Sequence, residues 1–117
     1  MVKADTAKSI MANWKEEAQK EFEPGEKVEK EYECTYNGSF GYIAFTGKRT
    51  LFVCEKGLFK KTYTKMVDLP YTSVKGVTIK GKQILEVADA GGKTYAFDIN
   101  DIPAQIVKDS LDKFIKA

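Results

Sequence analysis

The chain has 117 residues, 43% of them hydrophobic and 31% charged, and a net charge of +2. That length fits one domain that buries roughly two-thirds of its unfolded surface, and the composition is that of a globular protein rather than a disordered one. The charge balance gives no overall field for nucleic acid, and no apolar run reaches the about 20 residues that span a bilayer. Histidine is absent, and the N-terminus lacks the apolar core of a signal peptide. The sequence therefore predicts a cytoplasmic domain without a metal, a cofactor or a nucleic-acid partner.

The two cysteines give little support for catalysis. Cys34 and Cys54 lie inside strand-like runs and lack the spacing of a metal site. Reduced, packed thiols are the favoured interpretation, and a cross-strand disulfide is the alternative. A cysteine nucleophile would need Lys, Asp or Glu as its base, since no histidine exists, and Glu31 and Glu33 read as solvated charges on one strand face. No catalytic residue is predicted, and we expect no enzyme.

Residues 4–22 have a helical pattern that Pro24 and Gly25 end. Its apolar positions recur at three- and four-residue steps: Ala7, Ile10, Met11, Trp14 and Ala18. A helix of this length needs a cover for its apolar stripe. The stripe is expected to pack on the sheet of its own domain, or else Ile10, Met11 and Trp14 contact a protein partner, a second copy or a membrane interface. Residues 1–24 are thus interpreted as a helix with a short linker, and residues 25–117 as the main domain.

The rest of the chain predicts seven antiparallel strands. Asn37-Gly38 is a strong signal for a type I′ hairpin turn, Gly76 marks a β-bulge, and Leu69-Pro70 is expected to leave the strand ladder because proline has no N–H to donate. The predicted strands cover Val28–Tyr36, Phe40–Thr46, Arg49–Glu55, Leu58–Val67, the stretch with Val74, Val77 and Ile79, Ile84–Ala88, and the stretch with Tyr95, Phe97 and Ile99.

A helix follows from about Pro103 to Lys116, with Asn100 or Asp101 as its cap and proline in its first turn. Its predicted apolar face consists of Ile106, Val107, Leu111, Phe114 and Ile115. We expect Leu111 and Phe114 to be buried against the strand that carries Tyr95 and Phe97.

Positive charge is concentrated between Lys48 and Lys65, because this stretch contains six basic residues and only one acidic residue, Glu55. Lys56, Lys60 and Lys61 surround Gly57, and exposed N–H groups of a tight turn beside lysines can hold a phosphate or an acidic peptide. These three lysines are the predicted ligand site. The alternative is that they only protect sheet edges from pairing with other chains.

Short motifs in residues 25–116 resemble the prokaryotic PH-like domains (the bacterial PH, YokE-like or GRAM-like family). The motifs are Gly25-Glu26-Lys27-Val28, Gly41-Tyr42-Ile43-Ala44-Phe45-Thr46 with Lys48-Arg49 and Leu51-Phe52, Lys61-Thr62-Tyr63, and Asp68-Leu69-Pro70-Tyr71-Thr72-Ser73-Val74. The sequence departs from the family pattern at Thr50, which separates Arg49 from Leu51.

The resemblance implies a mainly β, α+β fold of the PH-like type, in which a seven-stranded orthogonal sandwich or partly open barrel is capped by the C-terminal helix. It also implies a non-enzymatic binding or scaffolding module that acts through protein–protein contact or self-association. Binding of an anionic lipid headgroup, with peripheral localisation at a membrane, is the alternative. The eukaryotic lipid site uses basic residues of the first hairpin, and the turn 36–39 has none. A third possibility is a single-strand nucleic-acid binder of OB type that stacks bases on Phe59 and Tyr63, but OB folds place their helix mid-chain.

Overall fold

The computed structural model describes residues 15, 16, 18–56 and 62–116, which form seven antiparallel strands and a C-terminal helix. A short 3-10 turn, Tyr71–Ser73, separates the fourth strand from the fifth. The strands are β1 (Val28–Tyr36), β2 (Ser39–Thr46), β3 (Arg49–Lys56), β4 (Thr62–Pro70), β5 (Val74–Lys80), β6 (Ile84–Asp89) and β7 (Thr94–Ile99), and the helix is α1 (Ala104–Lys116).

The strands make one sheet in the order β4-β3-β2-β1-β7-β6-β5, with β1 joining its two halves. β1 pairs with β2 along its length, and with β7 only at Cys34–Tyr36. The rings of Phe52 on β3 and Phe97 on β7 lie 6.1 Å apart, although two strands separate β3 from β7. Three strand spacings in a flat sheet would be about 14 Å. The sheet therefore curves until its halves face each other across one core.

The core lies on the concave face of this sheet, and α1 covers one end. Leu111 and Val107 of the helix are fully buried, and α1 contacts β5, β6 and the 3-10 turn. The largest buried side chains of the strands are Phe45, Phe52, Phe97, Ile43, Leu51, Leu85, Ile99 and Val87. Leu51 is the exception among them, because it packs in a second cluster on the convex face.

Local sequence signals place the turns correctly. Asn37 and Gly38 have φ angles of 54° and 80°, which are the positive values that a type I′ turn requires. The pairing of β5 with β6 shifts between Val74 and Gly76, so the bulge predicted at Gly76 is confirmed.

The prediction that Leu69 and Pro70 leave the ladder is wrong. β4 continues to Pro70, which pairs with Arg49, while Leu69 pairs with Thr50. β4 is the last strand of the sheet on this side. Proline is tolerated at the end of an edge strand because its missing N–H would face away from the neighbouring strand.

Two expectations for the C-terminal helix also need correction. Ile106 was predicted on the apolar face, but its side chain is 47% exposed, since the buried stripe of α1 runs along Ala104, Val107 and Leu111. Phe114 is only half-buried, and its ring stacks on Tyr71 at 5.8 Å and contacts Phe45 of β2 at 5.9 Å between centroids.

The convex face of the sheet is also covered in part, by the residues that precede β1. Lys15, Glu16, Ala18 and Gln19 have helical backbone, and Ala18 is buried in one apolar cluster with Ala44, Leu51 and Val53. Phe22 packs against the same cluster. The end of the predicted N-terminal helix therefore contacts the sheet of its own chain.

Candidate functional site

The predicted lysine site falls largely outside the described residues. Lys60 and Lys61 are not described, and Lys56 is described only as the last residue of β3. The backbone register still locates this part of the chain. Lys56 pairs with Thr62, and Cys54 of the same strand pairs with Gly41, so the end of β3 and the start of β4 lie at the same end of the sheet as the Asn37-Gly38 turn. Lys48 and Arg49 lie at the opposite end.

The predicted association stripe, Ile10, Met11 and Trp14, lies outside the described residues as well. What is described is the continuation of that segment. Lys15 forms an ion pair with Glu31 of β1, and Glu21 accepts a hydrogen bond from Lys65 of β4 at 3.0 Å. These contacts join the end of the segment to two strands of the same chain.

A buried ion pair stands at the end of the sheet where Lys48 and Arg49 lie. The Glu26 side chain is fully buried, and Arg49 donates to both of its carboxylate oxygens at 2.9 Å, from Nε and from Nη2. The hydroxyl of Thr46 donates to Glu26 at 2.6 Å, and the hydroxyl of Tyr71 donates to the carbonyl oxygen of Thr46 at 2.6 Å. All four residues belong to the motifs that carry the PH-like resemblance, so three separate motifs meet in one polar cluster.

The electrostatics of this cluster are balanced. Burial raises the pKa of Glu26, but hydrogen bonds from Arg49, Thr46 and the backbone of Glu23, together with the charge of Arg49, outweigh burial and hold the pKa below its ordinary value. Arg49 also donates to Asp68 at 3.3 Å. Its guanidinium group is therefore committed to carboxylates of its own chain, and the cluster is a structural clamp.

An open cavity of about 520 Å³ lies beside this clamp. Lys48 borders it, but its amino group already lies 3.1 Å from the carboxylate of Glu23, and Arg49 is engaged as described above. Acids thus neutralise both cations on its wall, which argues against an anion site. The other lining residues are Gly47, Pro70, Tyr71, Thr72, Phe114 and Ile115.

The free edge of β5 offers a different kind of surface. β5 is the last strand on its side of the sheet, and no described strand pairs with its outer edge. Lys75, Thr78 and Lys80 are exposed along it. The stretch from Val74 to Gln83 contains three lysines and no acid. An unpaired strand edge presents backbone N–H and C=O groups to another extended chain.

A second cavity, of about 350 Å³, lies at the end of β5, between the β5–β6 turn and the start of α1. The N–H of Ala104 donates to the carbonyl oxygen of Lys82 at 3.0 Å, which satisfies a helix N-terminal donor and ties this turn to α1. The wall has an apolar part and a polar part: Ile79, Ile102 and Pro103 in the first, and Gly81, Lys82, Gln83, Asp101 and Gln105 in the second.

Sequence reasoning missed the β5 edge as a candidate. Its signal is the acid-free run with Lys75, Lys80 and Lys82. This run indicates a binding surface only when β5 is known to be an edge strand. The strand order depends on contacts between residues far apart in the sequence, so a local sequence pattern does not specify it.

Both cysteines are free and buried. Burial raises the pKa of the Cys34 thiol to about 12, so this thiol stays protonated and is a poor nucleophile at neutral pH. Sγ of Cys54 contacts Sδ of Met66 at 3.4 Å. The interpretation of both as reduced, packed thiols is confirmed.

No cluster of three or more Cys, Asp or Glu side chains among the described residues could hold a metal ion. No helix within them has the length and apolar character needed to cross a membrane.

Comparisons with known proteins define the fold class only. No family model matches the chain, and no curated protein matches it either. Its structure is similar to the crystal structure of the C-terminal domain of an unknown protein from Leishmania infantum, with a TM-score of 0.58 and 14% sequence identity over 79% of this chain and 87% of that chain. The protein is thus a mainly β domain, a seven-stranded antiparallel sheet with one C-terminal helix, and this neighbour shares the fold.

Proposed function

We propose that the protein is a non-enzymatic binding module of the PH-like type that takes an extended, acidic segment of a partner protein on the free edge of β5. The observation that carries the proposal is the unpaired edge of a strand with three nearby lysines and no acid between Val74 and Gln83. The PH-like assignment is supported by the strand order and terminal helix, together with the meeting of the Gly-Glu, Thr-Gly-Lys-Arg and Leu-Pro-Tyr motifs in one cluster.

Strand addition explains why backbone and side chains are both needed at this edge. A peptide that adds to an exposed strand gains main-chain hydrogen bonds, and nearby pockets select its side chains. Lys75 would attract acidic residues of the peptide, and Lys80, whose amino group lies 3.2 Å from the carboxylate of Glu86, would exchange this exposed partner for an acidic residue of the peptide. The apolar wall formed by Ile79, Ile102 and Pro103 would take a hydrophobic side chain at the peptide end.

The lysines also give the edge its specificity. Edge lysines discourage pairing with the edges of other sheets, so a neutral or basic segment should be rejected while an acidic one is accepted. Protection from aggregation and selection of a partner are therefore two effects of the same charges.

The test is a titration of the protein with an acetylated heptapeptide that alternates glutamate and valine, with an analogue that alternates lysine and valine as the comparison. We expect saturable changes in the amide signals of Val74–Lys80 with the acidic peptide only. The double variant Lys75→Glu, Lys80→Glu should weaken binding by about tenfold or more, because it replaces attraction with repulsion. The matched control Lys27→Glu, Lys30→Glu has the same change in net charge away from β5.

Signal changes that avoid β5, or equal binding of the two peptides, would contradict the proposal. Equal weakening of peptide binding by both double variants would show that binding depends on the net charge of the protein alone.

A second candidate function is binding of anionic lipid headgroups through Lys56, Lys60 and Lys61. The observation in its favour is the pairing of Lys56 with Thr62, because Lys60 and Lys61 stand between these two residues in the sequence. Each lysine near an anionic membrane surface contributes about 1 kcal/mol. This site would use a different part of the molecule from β5, so the two candidates can be separated by mutation.

A further inference from the structure

The convex face of the sheet carries an exposed aromatic pair at the β1–β2 hairpin. The side chain of Phe40 is 56% exposed, and its ring contacts the ring of Tyr42 edge to face, with centroids 6.5 Å apart. Tyr42 packs against the apolar cluster of the convex face, and Phe40 shares that face because it lies two residues from Tyr42 on β2. A single exposed ring is common on protein surfaces, so its neighbours determine whether it can bind a ligand.

The strand register places two carboxylates beside this pair. Glu33 of β1 lies directly opposite Tyr42, and Thr35 lies directly opposite Phe40. On its other side, Thr35 lies opposite Asp98 of β7. Residues directly opposite each other in a sheet share one face, with Cβ atoms about 5 Å apart. Phe40, Thr35 and Asp98 therefore form a row across three strands, and Glu33 lies next to this row.

These residues form a surface that we call the outer patch: Glu33, Thr35, Phe40, Tyr42 and Asp98. Its low point is Thr35, whose short side chain stands between Phe40 and Asp98. These two flanking residues are two strand spacings apart, about 10 Å, which leaves room for one head group above Thr35. Glu33 is the diagonal neighbour of Asp98, at about 7–8 Å, so one ligand group can reach both carboxylates.

Both carboxylates are open to a ligand. Glu33 and Asp98 are exposed, and in the part of the chain that the structure describes neither of them forms an ion pair. Glu31, which precedes Glu33 by two residues on the same face of β1, is by contrast paired with Lys15. The outer patch is therefore locally negative on a protein whose net charge is +2.

An aromatic ring next to carboxylates favours arginine as the ligand. The planar guanidinium group stacks on aromatic faces and donates paired hydrogen bonds to carboxylates, whereas the lysine ammonium is a compact, strongly hydrated charge without a planar face. The protein uses the same combination internally. The guanidinium carbon of Arg49 lies 5.7 Å from the ring centroid of Phe22, and the same group donates to Glu26 at 2.9 Å.

We propose that the outer patch binds an arginine side chain of a basic segment in a partner protein. The guanidinium group lies above Thr35, stacks on Phe40 and donates to Glu33 and Asp98. This partner segment is opposite in charge to the one assigned to the β5 edge, and it binds a different surface. Either assignment can therefore fail without the other.

The test is a titration of the full chain with an acetylated, amidated heptapeptide that alternates arginine and serine, at low salt. The same peptide with lysine in place of arginine is the comparison. We expect saturable changes in the amide signals of Thr35 and Phe40, no changes in those of Val74–Lys80, and binding of the arginine peptide that is about threefold tighter or more. Signal changes that avoid Thr35 and Phe40, or the absence of saturation, would overturn the proposal.

A charge-removing pair of substitutions tests the carboxylates. Glu33→Gln with Asp98→Asn keeps the side-chain size and should weaken binding of the arginine peptide by about tenfold or more. The matched control is Glu16→Gln with Asp109→Asn, which removes two other exposed acids and should weaken binding much less. Equal weakening by the two pairs would show that only net charge attracts the peptide, and it would overturn the proposal.

The Phe40→Ala variant tests the aromatic part of the patch. It should abolish the preference for arginine over lysine, while Ile106→Ala, which truncates the other large exposed apolar side chain, should keep it. Far-UV circular dichroism checks that each variant is folded. A preference that survives in Phe40→Ala would overturn the proposal. A wild-type dimer that Phe40→Ala converts to a monomer in light scattering would assign the patch to a second copy and overturn it equally.

Discussion

Glu26 is a buried carboxylate that is stable because three residues, Arg49, Thr46 and Glu23, donate four hydrogen bonds to it. Removing an ion from water costs several kcal/mol unless a partner and hydrogen bonds replace the solvent. Arg49 supplies a planar, bidentate partner, which a lysine could not do. Thr46 adds a third bond and also accepts from the backbone N–H groups of Lys48 and Arg49 at 3.0 Å. The tight β2–β3 turn and the start of β1 are therefore held by one carboxylate.

The first prediction concerns this carboxylate. Glu26→Gln should lower the free energy of unfolding at pH 7 by about 3 kcal/mol, the lower end for breaking a buried pair, because Arg49 keeps Asp68 as a partner. Urea unfolding followed by circular dichroism measures the loss, with the exposed Glu16→Gln as control. A loss under about 0.5 kcal/mol, the range of surface changes, would contradict the clamp.

The pH dependence of that difference follows from the pKa of Glu26. Its folded pKa lies below the unfolded value of 4.5, so the folded state favours the charged form. The stabilisation is fully present above the unfolded value and is lost as the pH falls through the folded pKa. The difference between wild type and Glu26→Gln should therefore shrink below about pH 4.5. A difference that stays constant into that range would show that the charge of Glu26 is not the cause.

At the scale of elements, the predictions succeeded where one local rule decides and failed where tertiary burial decides. Asn37-Gly38 and Gly76 act through backbone conformation within a few residues, so the sequence predicts them. Pro70 was placed outside β4 because the edge position of that strand depends on pairings that a sequence pattern does not specify. The Glu26–Arg49 pair was missed since 17 acids and 19 bases allow many pairings, and hydrophobic periodicity ranks none of them.

The helix α1 allows a direct test of which apolar residues belong to the core. Leu111 is fully buried, so Leu111→Ala should cost about 2–5 kcal/mol. Ile106→Ala should change stability by less than about 0.5 kcal/mol, although both residues were predicted on the same face. Urea midpoints of the two variants give the comparison. Similar losses for both would place Ile106 in a contact that its exposure does not indicate.

At the scale of the whole molecule, a net charge of +2 conceals two separate basic regions. One is the β5 edge with Lys75 and Lys80. The other is the sequence run between β3 and β4 that contains Lys56, Lys60 and Lys61. Each of these belongs to a different half of the sheet, and the polar clamp at the other end has no uncommitted guanidinium. An anionic ligand should therefore bind through one of these two basic regions or through the other.

The last prediction separates these regions with vesicles that contain a phosphatidylserine fraction. Three lysines at about 1 kcal/mol each give roughly a hundredfold partition onto the surface, so we expect co-sedimentation at low salt that weakens strongly at physiological salt, where screening is stronger. The variant with Lys56, Lys60 and Lys61 replaced by alanine should lose vesicle binding and keep the affinity for the acidic peptide. The control with Lys27, Lys75 and Lys80 replaced by alanine removes the same charge and should show the reverse. If both variants lose vesicle binding equally, the effect is that of net charge; if the wild type does not sediment even at low salt, the lipid function is excluded and the β5 edge stands as the candidate binding surface.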